Sequence, residues 1–324
     1  VKDDQVERAV QVLLNIQEEF GKNLEAVAPE IPVKRILVPT DFSISSEYAC
    51  HYAIHLAEKI KAEIKLLHVF DNPIISMGIK ESATYVDYVN STLRDAELKA
   101  SRELVNFSSK VRTYMQTRDI TGIRIHSSTV MGGVLAGIKG ISKSYRPDFV
   151  VLGTATTSGD SESVLGGLAH AMVHELRIPL CAVPGPISGE NVRKFSVLYA
   201  TDFNEEDMHS LESLLRILEP FEKKITCIHI ATDPEPATLE RLDELNMILH
   251  NTYGSQEIQC VLIEDEDIVN GIKDFAGSNQ CNLISFTVHK RRIFDKLFRP
   301  NLFQKILREA NMPMLLFPSS MDVM

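Results

Sequence analysis

Short runs of aliphatic and β-branched residues alternate, in the first half of the chain, with longer segments whose apolar residues recur at helical spacing. The runs predict buried strands at 35–39, 63–70, 122–130, 149–153 and 178–185. The segments between them predict helices at 46–61, within 71–118, at 132–145 and at 163–177. Strands that alternate with helices indicate a parallel sheet with right-handed crossovers and helices on both faces.

The same order of strands and helices begins again in the second half of the chain. Asp202 in FSVLYATDF follows Asp41 in RILVPTDF by 161 positions, and His229 follows His68 by the same number. Further along, NMPMLLFP follows RIPLCAVP with an offset of 134 positions. Two constant offsets predict one duplicated unit, whose second copy has lost 27 residues, the difference between the offsets. We expect the surplus of the first copy to lie within 71–118.

The repeat therefore predicts two α/β domains of five parallel strands each, at 33–186 and 193–319, joined by the linker PGPISGENV at 184–192. Residues 1–32 precede the first domain. Their apolar positions at 3–20 predict an amphipathic helix, followed by the linker AVAPEIP. Such a helix can pack on a neighbouring domain, on a partner chain or on the body of its own chain.

Composition narrows the classes of function. With 44% hydrophobic and 24% charged residues, the 324-residue chain has the make-up of a globular protein. Its net charge of -10 disfavours nucleic acid as a partner, because an acidic surface repels phosphate backbones. The sequence shows neither an apolar run of about 20 residues nor a signal-peptide pattern, so we expect no membrane association and a cytoplasmic location. Five scattered cysteines without a CxxC pair predict free thiols.

Candidate binding residues lie where the predicted strands end. Ligands of open parallel sheets bind beyond the carboxyl ends of the strands, at the point where the strand order reverses. These ends carry PTDFS at 39–43, Val69, the pair Met131 and Gly132, and the loop from Gly153 to Gly167. That loop is rich in glycine and hydroxyl residues and leads into a helix. Free backbone N–H groups and the helix dipole at such a place suit a phosphate or another anion.

Three features stand out: the PTDFS turn, the HV ending of the second strand and the I-P-x-x-x-V last strand. With them, the chain resembles the universal stress protein family, in its tandem form, over essentially everything after residue 33. The resemblance implies a Rossmann-like fold of the adenine nucleotide alpha hydrolase-like type. It also implies an adenosine pocket at the strand ends and phosphate contacts at the glycines of the fourth loop. The cofactor-binding residues expected on this basis are Pro39, Thr40, Asp41, Val69, Met131, Gly132, Gly153, Thr154, Thr156, Gly166, Gly167 and Leu168.

The first copy departs from the pattern of the ATP-binding members of that family. They carry Gly, two residues, Gly, nine residues, Gly, then Ser or Thr. Here the matching positions are Gly153, Thr156, Gly166 and Gly167, so two of the four differ. Threonine resists the positive φ that glycine allows, at a cost of about 1–3 kcal/mol where the loop needs it. The loop also lacks Lys and Arg up to Arg177, although its threonines offer hydroxyl donors.

The second copy has lost every glycine of the pattern. The offset of 134 places Thr287, Lys290, Pro300 and Asn301 at the four positions. The surrounding stretch VHKRRIFDKLFRP is basic and aromatic, which fits either a helix entry with a solvated face or a patch that binds an anion or a partner.

The sequence thus favours a non-catalytic, cytoplasmic stress-response module that binds ATP or AMP in its first domain only. The alternatives are a protein-interaction scaffold that binds no nucleotide and a nucleotide hydrolase in which Asp41 holds a metal. The hydrolase lacks a Walker-type lysine. We predict no catalytic residue and no metal site. His51 and His55 share a helix face, but no third ligand accompanies them. Association with a protein partner, or self-association, is expected through the last strands, IPLCAVP and MPMLLFP.

Overall fold

The computed structural model describes residues 34–73, 86–154, 162–186, 192–202, 205–231, 236–253, 258–288, 306 and 311–319. The predicted N-terminal helix at 3–20, Thr156 in the fourth loop, and the basic stretch from residue 289 to 300 lie outside the described residues. The chain divides into two compact units. The first contains 33–161 and 180–187, and the second contains 162–179 and 188–324.

The first unit has five strands in the order β3-β2-β1-β4-β5, and each recorded strand pair is parallel. Its strands are β1 (Arg35–Pro39), β2 (Glu63–Phe70), β3 (Ile125–Met131), β4 (Phe149–Gly153) and β5 (Leu180–Val183), and its helices are α1 (Ile44–Ile60), α2 (Val86–Gln116) and α3 (Val134–Tyr145). In the centre, Ile36 of β1 lies opposite Ile64 of β2 on one side and Phe149 of β4 on the other.

Burial explains why the central strands are continuous apolar runs. Ile36, Leu37 and Val38 are all 0% exposed, because helices cover both faces of the sheet. Ser43 caps the N-terminus of helix α1, because its side-chain oxygen accepts a hydrogen bond from the backbone N–H of Ser46. Its apolar face buries alanines and isoleucines, such as Ala53 and Ile54, against β1, β4 and β5.

The second unit repeats this arrangement, with the strand order β10-β9-β6-β7-β8, and its described strand pairs are parallel. Its elements are α4 (Glu162–Leu176), β6 (Lys194–Ala200), α5 (Glu205–Ile217), β7 (Glu222–Ala231), α6 (Pro236–Tyr253), β8 (Ile258–Glu264), α7 (Ile268–Ser278), β9 (Leu283–Val288) and β10 (Met314–Pro318). Helix α4 comes before β5 in the sequence but packs on β10. The predicted fold class, two α/β repeats of five parallel strands, is confirmed.

Helix-to-strand contacts agree with the two sequence offsets. On α3, a Cβ at Gly137 would lie 2.8 Å from a methyl carbon of Val69. On α7, a Cβ at Gly271 would lie 3.1 Å from Ile230. Ile230 follows Val69 by 161 positions and Gly271 follows Gly137 by 134, so each repeat uses a glycine to bring this helix close to its second strand.

The surplus of the first copy lies between its second and third strands, where 54 residues separate Phe70 from Ile125 and 26 separate Ala231 from Ile258. Helix α2 has 31 residues and its counterpart α6 has 18. The third strand begins later than the predicted 122–130, at Ile125, because Gly122 adopts a φ of +81° that is incompatible with an extended strand.

Candidate functional site

The strand order of the first unit places the candidate site beyond the carboxyl ends of β1 and β4. These neighbouring strands mark the point where the chain stops adding strands on the β2 side and starts adding them on the β5 side. A crevice at such a point is the usual ligand site of an open parallel sheet. Pro39 ends β1 and is followed by Thr40 and Asp41, while Gly153 ends β4 and is followed by Thr154.

Side chains hold the turn after β1 in one conformation. The Thr40 hydroxyl lies 2.9 Å from the Ser46 hydroxyl and accepts the N–H of Phe42 at 3.0 Å. Asp41 Oδ1 accepts the Ser43 N–H at 3.0 Å and the Ser43 hydroxyl at 2.5 Å. Phe42 has a φ of +65°, an uncommon conformation for a residue with a bulky side chain. The turn is therefore held by its own side chains.

Gly153 is required by the close approach of helix α1. A Cβ at this position would overlap the carbonyl group of Ser45 and lie 2.9 Å from the backbone N of Ser46. Both are backbone groups in the first turn of α1, so a side chain could enter only if the helix moved. The glycine identified from the family pattern thus lets the start of α1 reach the end of β4.

Thr154, at the end of β4, has a buried side-chain hydroxyl. Its N–H donates to the carbonyl of Val183 at 2.9 Å, which continues the pairing of β4 with β5. Its hydroxyl oxygen is buried and meets no hydrogen-bond partner among the described residues. Because buried polar atoms are usually satisfied, the Thr154 hydroxyl is a candidate ligand contact at the end of β4.

The remaining predicted residues lie at different distances from the β1–β4 crevice. Val69 is on the adjacent strand β2 and packs on α3. Met131 and Gly132 lie at the end of the edge strand β3, which is two strand spacings, or about 10 Å, from β1. Met131 faces α2, where it lines a cavity of about 890 Å³ together with residues such as Phe70 and Leu98.

Only some of the residues that are predicted to contact phosphate lie in the described part of the chain. Gly166, Gly167 and Leu168 lie in helix α4, and Leu168 is half-buried. Thr156 and the rest of the loop from 155 to 161 lie outside the described residues. The structure therefore brings together the ends of β1 and β4.

The histidine pair on α1 is engaged in packing. The His51 ring stacks on the Tyr114 ring with centroids 3.5 Å apart, and His55 Nε2 lies 2.9 Å from the Tyr114 hydroxyl. Burial lowers the pKa of His51 to about 4, and the positive charges of Arg118 and His55 add to the effect. Across the described part of the chain, no group of three His, Cys, Asp or Glu residues is arranged to hold a metal ion.

The equivalent strand ends of the second unit carry larger side chains that hydrogen-bond to one another. Tyr199 is fully buried, donates its hydroxyl to the carbonyl of Asp207 at 2.7 Å and lies 3.0 Å from the Thr287 hydroxyl. Tyr199 follows Val38 by 161 positions, and Thr287 follows Gly153 by 134. A large side chain and a threonine therefore occupy the places that valine and glycine hold in the first unit.

A buried carboxylate holds the turn after β6. Asp207 is 1% exposed, and its Oδ2 accepts the Thr201 hydroxyl at 3.0 Å and the Asp202 N–H at 2.8 Å. It stands 161 positions after Ser46, the residue that meets Thr40 in the first unit. Neither residue stands out in the sequence, where Tyr199 is one more apolar residue of a strand and Asp207 is one of three acids at a helix start.

Comparison with known proteins agrees with this geometry. The universal stress protein family model matches residues 32–184. A universal stress protein of Methanocaldococcus jannaschii is 23% identical over 154 residues, which cover 47% of this chain and 83% of that protein.

Solved structures show the same fold over most of the chain. A universal stress protein from Archaeoglobus fulgidus has a TM-score of 0.62 at 15% identity, covering 89% of this chain and 97% of that one. A functionally unknown protein from Pseudomonas aeruginosa has a TM-score of 0.54 at 9% identity, covering 89% and 93%. The fold is thus the Rossmann-like one of these proteins. Among the described helices, none combines the length and apolarity that crossing a membrane requires. Over residues 32–184, just under half of its length, the chain therefore matches the universal stress protein family.

Proposed function

We propose that this chain is a tandem, non-catalytic universal stress protein that binds one adenine nucleotide, ATP or AMP, in its first domain only. The observation that carries the proposal is the contrast between the two crevices. In the first, Gly153 and the buried hydroxyl of Thr154 border the ends of β1 and β4. In the second, the Tyr199 hydroxyl meets the Asp207 backbone carbonyl and the Thr287 hydroxyl. The Asp207 carboxylate accepts the Thr201 hydroxyl.

The first crevice offers groups suited to a nucleoside phosphate. The Thr154 hydroxyl is a donor for a phosphate oxygen, and the turn at Thr40 and Asp41 supplies a preformed wall for the nucleoside. Preorganised groups favour binding because little order is lost when the ligand arrives. A hydrolase needs a base or a metal carboxylate aimed at the phosphates. Asp41 Oδ1 instead takes two hydrogen bonds from Ser43, which supports a binding role over a catalytic one.

The Thr154→Val variant tests the phosphate contact with almost no change of shape. Because the Thr154 hydroxyl meets no partner among the described residues, its removal should leave the unfolding free energy equal or slightly higher. A hydrogen bond to a charged group is worth about 1.5–3 kcal/mol, so ATP affinity should fall about tenfold or more in calorimetry. The matched control is Thr201→Val in the second repeat, which should destabilise the protein and leave ATP affinity unchanged. Equal ATP affinity in Thr154→Val and the unaltered chain would refute the contact.

The alternative is a protein-interaction scaffold that binds no nucleotide. The loss of the second pattern glycine at Thr156 favours it, because threonine resists the backbone conformation that the pattern requires. Denaturing the purified protein and measuring released adenine absorbance distinguishes the two. The scaffold would be favoured if no nucleotide is released and no heat is measured at millimolar ATP or AMP. A cytoplasmic location and association through the last strands stay predictions.

A further inference from the structure

A histidine on β2 fixes the carbonyl group in the middle of the turn after β1. His68 Nδ1 lies 2.8 Å from the carbonyl oxygen of Thr40. A carbonyl oxygen can only accept a hydrogen bond, so Nδ1 must carry the hydrogen and donate it. The bond spans two neighbouring strands at their carboxyl ends. It therefore joins the end of β2 to the turn that forms one wall of the crevice.

The same side chain also supports the strained residue of the turn. The Phe42 ring lies on the His68 ring with centroids 4.2 Å apart, and it reaches the Phe107 ring of α2 at 5.8 Å. Phe42 has a φ of +65°, a conformation that persists only where surrounding contacts hold it. His68 thus contacts the turn twice, through a hydrogen bond to Thr40 and through ring packing with Phe42.

The bond recurs in the second repeat. His229 Nδ1 lies 3.0 Å from the carbonyl oxygen of Thr201 and 3.7 Å from Asp202 Oδ1. His229 and Thr201 follow His68 and Thr40 by 161 positions each. The two repeats therefore hold their first turns by the same bond, although only the first has an open crevice in our proposal. This makes the second repeat an internal control for a purely structural role.

We infer that His68 is a positioning residue for nucleotide binding, acting through the Thr40 carbonyl to hold residues 39–43 in the binding conformation. The inference rests on the proposed function, since it concerns the same crevice. It assigns the role to the donor at the Nδ1 position rather than to the imidazole ring as such. A donor at the Nε2 position would point away from Thr40 and would not replace it.

Three substitutions at one position separate these roles. His68→Leu removes the donor, His68→Asn places an amide N–H where Nδ1 was, and His68→Gln places it where Nε2 was. We expect His68→Leu and His68→Gln to lower ATP affinity at least tenfold in calorimetry, and His68→Asn to restore it to within about threefold. His229→Leu, which removes the same bond from the second repeat, should lower thermal stability and leave ATP affinity unchanged.

The outcomes distinguish this inference from the proposed function. If the unaltered chain gives no ATP heat, the proposed function fails and the role of His68 fails with it. If the unaltered chain binds ATP but His68→Leu binds equally well, only the inference fails. It also fails if His68→Gln binds as tightly as His68→Asn, because donor position would then not matter. If His68→Leu does not fold, the comparison of the Asn and Gln variants still decides the question.

Discussion

Replacing Gly153 by alanine should destabilise the first domain, because the added methyl group would meet the backbone of helix α1. The Cβ would overlap the Ser45 carbonyl and lie 2.9 Å from Ser46 N, well inside the 3.5–4.0 Å at which carbon atoms normally make contact. Overpacking of this kind costs about 3 kcal/mol where the obstacle is backbone. Restricting the unfolded chain returns about 0.7 kcal/mol. The net loss of unfolding free energy is then about 2 kcal/mol.

Urea denaturation followed by circular dichroism measures this loss. With an m-value of about 2 kcal/mol per molar urea, the midpoint of the affected transition should fall by about 1 M. The matched control is Gly140→Ala on α3, an exposed helical position whose Cβ would meet nothing within 4 Å. Alanine there should raise stability by about 0.5–1 kcal/mol. If the two variants have the same midpoint, α1 does not approach β4 as closely as described, and the crevice geometry is wrong.

Two further predictions concern Tyr199 and the histidine stack. Tyr199→Phe removes a buried hydroxyl that bonds Asp207 and Thr287, so the second domain should lose about 1–2 kcal/mol in urea denaturation without any gain in nucleotide binding; an unchanged midpoint would contradict the hydrogen bonds. The pKa of His51 is lowered to about 4 in the folded state, so the unfolded chain binds more protons between about pH 6.5 and 4, and stability should fall as the pH drops through that window. His51→Phe keeps the stack on Tyr114 and should weaken this dependence, and an identical pH profile would refute the assignment.

The strands and the repeat could be predicted from the sequence because their signals are local or periodic. The run at 35–39 is apolar since both faces of β1 are buried. The offset of 161 links His68 to His229, and both side chains prove to make the same bond. A duplicated contact of this kind leaves a visible trace, because the same residue type is needed at the same place in each copy.

The contents of the second crevice could not be predicted by the same means. Asp207 lies in an acidic first turn, EED, which suggests a solvated helix start, yet its carboxylate is buried beneath Thr201. Tyr199 has the pattern of one more apolar residue of a strand, and the sequence does not show that its hydroxyl bonds to Thr287. The burial of Asp207 depends on a local turn that folds its carboxylate onto Thr201 and Asp202, and the Tyr199 contact depends on Thr287, which is far away in the sequence.

The most direct test of the account is calorimetric titration of the full chain with ATP, and separately with AMP. The account predicts saturable binding with one nucleotide per chain, weakened by Thr154→Val and unaffected by Tyr199→Phe. Two nucleotides per chain would show that the second crevice is open, and no heat at millimolar nucleotide would show that the first is not a binding site.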